Sequence, residues 1–546
     1  MKAVLSRSMA VAVPAALALW VLATGAQAQQ SPVQLASLAA DKPAVPAEFH
    51  GITAPDEGVV GDMAQIATLL NQGKVDRALK AIDELQKKRP ADVVPVVLRG
   101  RALLQKGDRA GARQALEQAL QMDANYFPAI AMLAGLDNAE KRPDAARARL
   151  EGAIERQPAN VLAYRALAEL RAAQGAGKTE LIGLLRRAVD AAPRNPMAHQ
   201  LLAEFFLRVG DPKEALAVAQ KANTALPDSP PLLDALGRAQ SATGDYGQAQ
   251  ASFARMAELL PKSPLPYLRM ASAHLLAGDR AAAEQNLHKA LELDPRSLEA
   301  QQGLASLAMA TQQPAQALTI SRNIQKQRPK EQVGYVLEGQ IHAAAKDWDK
   351  AIQAYRTGLK QTDNPALAIR LHDVMMAAGK TKEAEQWATQ WERSHAKDAA
   401  FPLYLGNRSM STKDLPASLV QFDRVLALQP DNAVVLNNRA WVKGQLGRED
   451  ALADAERANA LAPNQPAFMD TWAMLLSGAR QHDKAVEIQK KVVQLQPQVL
   501  VYKLNLAKVY INAGQKEAAK PLLDELAQAG EGFPAHAEVE QLRKGL

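Results

Sequence analysis

Cysteine is absent from all 546 residues. That removes disulfides, thiol nucleophiles, zinc fingers, iron–sulfur clusters and a lipid-modified N-terminal cysteine. Aromatic residues are scarce, at 4%, and Trp348, Trp387, Trp391, Trp441 and Trp472 are scattered. A protein that grips sugars by stacking rings on them would need more, although Trp387 and Trp391 stand one helical turn apart. Charge is nearly balanced, with 65 Lys+Arg against 58 Asp+Glu. The small basic surplus forms no stripe, so a dedicated nucleic-acid binder is excluded. Long apolar runs are missing except near the start, where Met9 to Ala23 falls short of the roughly 20 residues a membrane helix requires. What is present is a 48% hydrophobic fraction, ample for folding.

The start reads as an export signal. Lys2 and Arg7 precede the apolar stretch, and Ala26-Gln27-Ala28 places small residues at a cleavage spacing. Cleavage is expected after residue 28, leaving an exported chain that is periplasmic if the source is Gram-negative, with a peripheral place at the outer membrane as the further expectation. Residues 29–56 carry Pro32, Pro43, Pro46 and Pro55 and develop no apolar period, so a disordered tether is expected there.

A period of 34 organises the remainder. Proline closes a short loop at positions 90, 158, 193, 227, 261, 295, 329, 430, 463 and 497, while Ala124, Asp363, Lys397 and Glu531 complete the series. This gives fourteen units over 57–531. Ten residues after each mark stands a small residue in eleven units, among them Gly100, Ala134, Gly237, Gly339, Ala440 and Ala507. A second small residue stands twelve before the closing mark, as at Ala112, Ala249, Ala351 and Ala519. Each unit therefore reads as two antiparallel helices. In 227–261 the first helix presents Leu232, Leu233 and Leu236, Gly244-Asp245 turns the chain, and Ala249, Phe253 and Met256 line the second. One hairpin cannot bury its own apolar face, so stacking supplies the stability. Residues 532–546 read as a polar capping helix. Units 364–397 and 398–430 fit worst, with Asp373 and Asn407 at the small-residue position. They stand as distorted units or as a joint.

This pattern resembles the tetratricopeptide repeat (TPR) family over 57–531. The resemblance implies an all-α solenoid, a right-handed superhelix whose first helices line a concave groove that holds extended peptides or partner helices. Transferred by position, the candidate groove residues are Arg101, Arg165, Arg238, Arg370, Arg408, Asn438, Asn505 and Lys508. Asn438 and Asn505 are equivalent two units apart, and an amide both donates and accepts, which suits a peptide backbone. The lysine–asparagine pairing of chaperone-tail carboxylate clamps is missing.

Catalytic motifs do not emerge. Gly175-Ala176-Gly177-Lys178-Thr179 imitates the end of a phosphate-binding loop, but Ala172 replaces its first glycine and a repeat helix precedes it. An extra turn residue in the 35-residue spacing accounts for those glycines. None of the nine histidines pairs at i, i+4 in a metal-site arrangement. His274 and His342 share a repeat position, which repeat inheritance explains. No enzyme, nucleotide or cofactor is expected.

Some segments narrow the resemblance. Asn125-Tyr126-Phe127-Pro128-Ala129, the run Lys141 to Arg149, Val435 to Trp441 and Leu461 to Thr471 are similar to the TPR-repeat lipoprotein of bacterial PEP-CTERM/exosortase systems. That resemblance implies an envelope scaffold serving exopolysaccharide assembly or export, although the lipobox cysteine of that family is absent. Adaptors for cell division, pilus or secretion assembly remain the alternative, followed by a carbohydrate-binding protein.

Overall fold

The computed structural model describes residues 57–546, with side chains from residue 61. The signal stretch 1–28 and the tether 29–56 lie outside the described residues. Twenty-nine α-helices and one 3₁₀ turn make up the described chain, and no strand occurs among these residues. The first twenty-eight helices form fourteen consecutive hairpins, from α1 (Glu57–Asn71) with α2 (Val75–Lys88) to α27 (Leu500–Asn512) with α28 (Lys516–Gln528). The fold is the all-α repeat solenoid expected from the period.

Local chemistry explains why each hairpin turns where it does. Gly107, Gly244 and Gly278 adopt left-handed φ values of 88°, 85° and 83° at the end of a first helix. The aspartate after each glycine then caps the second helix: Asp108 accepts from Gly111 N at 2.9 Å, and Asp279 from Ala282 N at 3.0 Å. A glycine stop and an aspartate start thus share two residues.

Packing within most hairpins follows one rule. The small residue of the first helix faces the residue sixteen positions later on the second; Ala440 stands outside it, since the residue sixteen later is the exposed Glu456. An ideal Cβ on Gly100 would stand 2.7 Å from Leu116, and one on Gly406 would stand 2.7 Å from the Phe422 ring. Gly237 against Phe253 and Gly339 against Tyr355 are closer still. Where alanine holds the position, a leucine or smaller residue faces it, as in Ala134 with Leu150 and Ala507 with Leu523.

That rule corrects the reading of the two irregular units. The link between α18 (Trp348–Thr362) and α19 (Pro365–Ala377) is only Asp363, at φ 46°, and Asn364. The short link moves the register back by one, so Gly406 occupies the small-residue position rather than Asn407. In the preceding unit His372 occupies it rather than Asp373, and the residue sixteen later is a compensating Ala388. Both units are helical hairpins; the second packs like its neighbours, whereas the first, with a histidine at the small-residue position, is less closely packed. In them Trp387 and Trp391 stack with centroids 5.6 Å apart and pack on buried Phe401, so they fill core.

Compactness divides the chain at Leu304/Ala305, inside α15 (Leu298–Ala310). In the N-terminal unit, apolar clusters tie each hairpin to the next, as where Val96, Leu116 and Leu133 pack together. The phosphate-loop imitation is the turn between α7 (Val161–Ala173) and α8 (Lys178–Ala191), with Gly175 at φ 83°. In the C-terminal unit the last hairpin is covered by α29 (His536–Lys544), whose Val539 is fully buried against Leu523 and Leu526. Among the described residues no helix is long and apolar enough to cross a membrane.

Candidate functional site

The eight candidate groove residues divide between the two compact units. Arg101, Arg165 and Arg238 lie in the N-terminal unit, and the other five in the C-terminal unit. Arg101 is half-buried on α3 (Val93–Lys106) beside Gly100. Arg165 stands 3.9 Å from Glu169 one turn on. Arg238 reaches Glu204 at 2.9 Å and Asp234 at 3.7 Å, bridging α9 (Pro196–Arg208) and α11 (Pro230–Ala242). Arg370 and Arg408 flank Asp373, with Arg408 at 3.8 Å. The asparagines are engaged within the chain. Asn438 donates to Asn407 at 3.2 Å, and Asn505 donates to both carboxylate oxygens of Asp470 at 2.9 and 3.0 Å. Lys508 is paired with Glu538 at 2.7 Å.

His274 and His342 each stand 3.7 Å from the aspartate five residues on, Asp279 and Asp347. The identical contact in two units is what duplication of a repeat produces.

Asn505 and Lys508 come together with residues that no motif marks. They line a cavity of about 700 Å³ in the C-terminal unit. Its walls come from α23 (Ala433–Gln445), α25 (Pro466–Gly478), α27 and the segment around Phe533 that leads into α29. Trp441, Met474, Leu475, Val501, Leu504 and Phe533 supply apolar surface. Asp470, Asn505, Lys508 and Glu538 supply the polar groups, and Arg448 and Glu449 stand at the turn before α24 (Ala451–Leu461). Apolar walls with a few converging polar groups are the usual make-up of a ligand site.

Asp470 is the distinctive group. It accepts from Gln489 Nε2 at 2.6 Å in addition to Asn505, and Gln489 is fully buried. Burial nevertheless dominates and pushes its carboxyl up to about 6, against the two amides and the positive field of Lys508, which act downward. Tyr502, also on α27, is pushed up to about 12 by its own burial and by the Asp470 charge. A carboxyl whose folded value is raised favours the folded state most while protonated, below its ordinary value near 4. That contribution is lost as pH rises through about 6. We predict that the Asp470 carboxyl carbon titrates near pH 6 by NMR. The stability difference between the native chain and Asp470→Asn should change between about pH 4 and 6 and level off above. A midpoint near 4 with a flat difference would contradict this.

The cavity contains a substitution visible when the units are aligned on their small residues. The position three before that residue is aspartate in two units, at Asp234 and Asp470. The partner in each case lies 35 residues on, in the next unit. For Asp234 it is Arg269, whose Nε donates at 2.6 Å. For Asp470 it is Asn505, a neutral amide. The first carboxylate has an internal cation in contact; the second has none within hydrogen-bonding distance.

Two sequence models described as tetratricopeptide repeat match the chain, one over residues 103–170 and 274–338 and the other over 64–127 and 182–230. Over those stretches the chain is similar to tetratricopeptide repeats, helical hairpins of the kind described above. The small glutamine-rich tetratricopeptide repeat-containing protein 2 of Mycosarcoma maydis is 31% identical over 103 residues, covering 19% of this chain. The match spans 29% of that relative's length. Among solved structures, a tetratricopeptide repeat protein from Parabacteroides merdae is 19% identical, covering 45% of this chain and 97% of its own, with a TM-score of 0.34. The APC/C hetero-tetramer Cut9-Hcn1 is 13% identical, covering 88% and 94%, with a TM-score of 0.37.

Proposed function

We propose that the protein is a non-catalytic scaffold of the cell envelope that holds protein partners for exopolysaccharide assembly and export or for PEP-CTERM protein sorting. The binding part of this reading rests on the cavity of the C-terminal unit, an apolar recess with converging polar groups built largely from first helices. The envelope part rests on the export-like start and on the exosortase-system resemblance of segments such as Val435 to Trp441 and Leu461 to Thr471. The mechanism is passive: repeated hairpins present a surface, and affinity is shared among several of them.

An affinity pull-down of the tagged protein from crosslinked native envelopes, read by mass spectrometry, tests the reading. Recovery of polysaccharide polymerisation or export proteins, or of an exosortase, is the expected result. Recovery of division, pilus or secretion components instead would overturn the pathway and leave the scaffold. Asn438→Ala combined with Asn505→Ala is expected to reduce partner capture roughly tenfold, the effect of one or two hydrogen bonds. Its melting temperature should fall, because Asn505→Ala strips both amide hydrogen bonds from Asp470. The single variant Asn438→Ala, which loses only the contact to Asn407, should weaken capture with a smaller change in melting; no loss of capture in either variant would make the two amides purely structural.

A further inference from the structure

We infer that the cavity around Asp470 is a receptor for a cationic side chain, an arginine or lysine flanked by apolar residues in a bound peptide segment. The inference rests on the reading of the protein as a peptide-binding scaffold and specifies what one of its subsites selects.

The chain supplies its own comparison. Asp234 and Asp470 occupy the same repeat position, and each receives hydrogen bonds from the residue 35 positions on. Arg269 brings a positive charge to Asp234, and Arg238 adds a second at 3.7 Å. At Asp470 the equivalent of Arg269 is Asn505, which satisfies the oxygens as acceptors without neutralising the charge. Lys508 is turned to Glu538 at 2.7 Å. The volume that a guanidinium and its stem would take is open, because the cavity of about 700 Å³ lies against Asp470.

The remaining walls fit the rest of such a side chain. Lysine and arginine carry long methylene stems that cover apolar surface while the charged head seeks a counter-ion. Leu475, Leu504 and Phe533 provide that surface beside the carboxylate. An arriving cation restores the charge balance that Arg269 supplies at the equivalent site. It also relieves the cost of holding an ionised carboxylate in a recess, which is the cause of the raised titration of Asp470. Lys508 and Arg448 also line the cavity, so the selectivity for a cation rests on the Asp470 carboxylate itself and not on the charge of the cavity as a whole.

Panning a phage-displayed library of random linear peptides on the full chain tests this. Selected peptides are expected to carry an arginine or lysine among apolar residues. Replacing that residue by citrulline or norleucine in a synthetic copy should weaken binding by roughly tenfold or more, the worth of a charge-assisted hydrogen bond. Asp470→Asn, which keeps the size and the hydrogen-bonding capacity, should cause a similar loss. Asn505→Arg should abolish binding by filling the recess with an internal cation, as Arg269 does at Asp234, while its melting temperature holds or rises. Selected peptides that lack a basic residue, or that bind Asp470→Asn and Asn505→Arg as tightly as the native chain, would overturn the inference and leave the scaffold reading intact. Selection of no peptide at all would overturn both.

Discussion

Phe253→Ala is expected to destabilise the protein by about 3–5 kcal/mol, the usual cost of emptying a buried aromatic site. Phe253 is 1% exposed and its ring lies over the backbone of Gly237, which leaves room for no side chain there. The reciprocal change, Gly237→Ala, gains ~1 kcal/mol of helix preference but forces a methyl into that ring. Overpacking of this kind costs ~1–3 kcal/mol, so a net loss is expected. Combining Gly237→Ala with Phe253→Leu recreates the pair found at Ala507 and Leu523, where both residues are fully buried. The double variant should be more stable than Phe253→Ala and at least as stable as Gly237→Ala. Denaturant unfolding tracked together with amide exchange in α11 and α12 (Tyr246–Leu259) would check this, since repeat arrays can open locally. An unaltered midpoint for Phe253→Ala would show that the hairpin collapses around the gap.

The second large effect is electrostatic. Asp454 is 7% exposed on α24 and binds two cations of α23. Arg439 reaches its two oxygens at 2.7 Å each, and Lys443 reaches it at 2.8 Å. Asp454→Ala leaves the ammonium of Lys443, itself 8% exposed, with only the outlying Asp450 at 2.7 Å. Breaking a buried pair by removing one partner costs about 3–5 kcal/mol. Here Asp450 and the Arg439–Asp423 pair at 2.7 Å retain part of the balance, so about 2–3 kcal/mol is expected. Lys443→Met in the Asp454→Ala background should recover much of that loss, because apolar replacement of a buried ion pair is often neutral. A double-mutant cycle with no coupling would refute the account.

The polar features that tertiary structure reveals are hidden in the sequence for an identifiable reason. Asp470 falls in the run Leu461 to Thr471, which reads by itself as one more amphipathic first helix. Its character comes from Asn505, 35 residues away, and from Gln489 on the neighbouring helix. A usable signal does exist. Aligning the units on their small residues isolates Asp234 and Asp470, then exposes arginine at 269 against asparagine at 505. Counting from the loop marks finds the same pairs, seven and eight residues past a proline; only in the two units after the two-residue link at Asp363-Asn364 does the register move by one. That single step is why Asp373 and Asn407 stand where His372 and Gly406 belong.

Periodicity alone determined the class of fold, the number of hairpins and the place of most turns. These depend on interactions between residues a few positions apart: an apolar stripe at helical spacing, a glycine that accepts a left-handed φ, an aspartate that caps the next helix. Tertiary structure decided which polar residues meet. Asn438 and Asn505, alike as sequence positions, face different partners, Asn407 and Asp470. Lys508, read as a groove cation, is held by Glu538 from the capping helix. Helix formation is local and repeats with the sequence, whereas charge balance in a recess is set by neighbours from other hairpins, so only the stacked chain shows it.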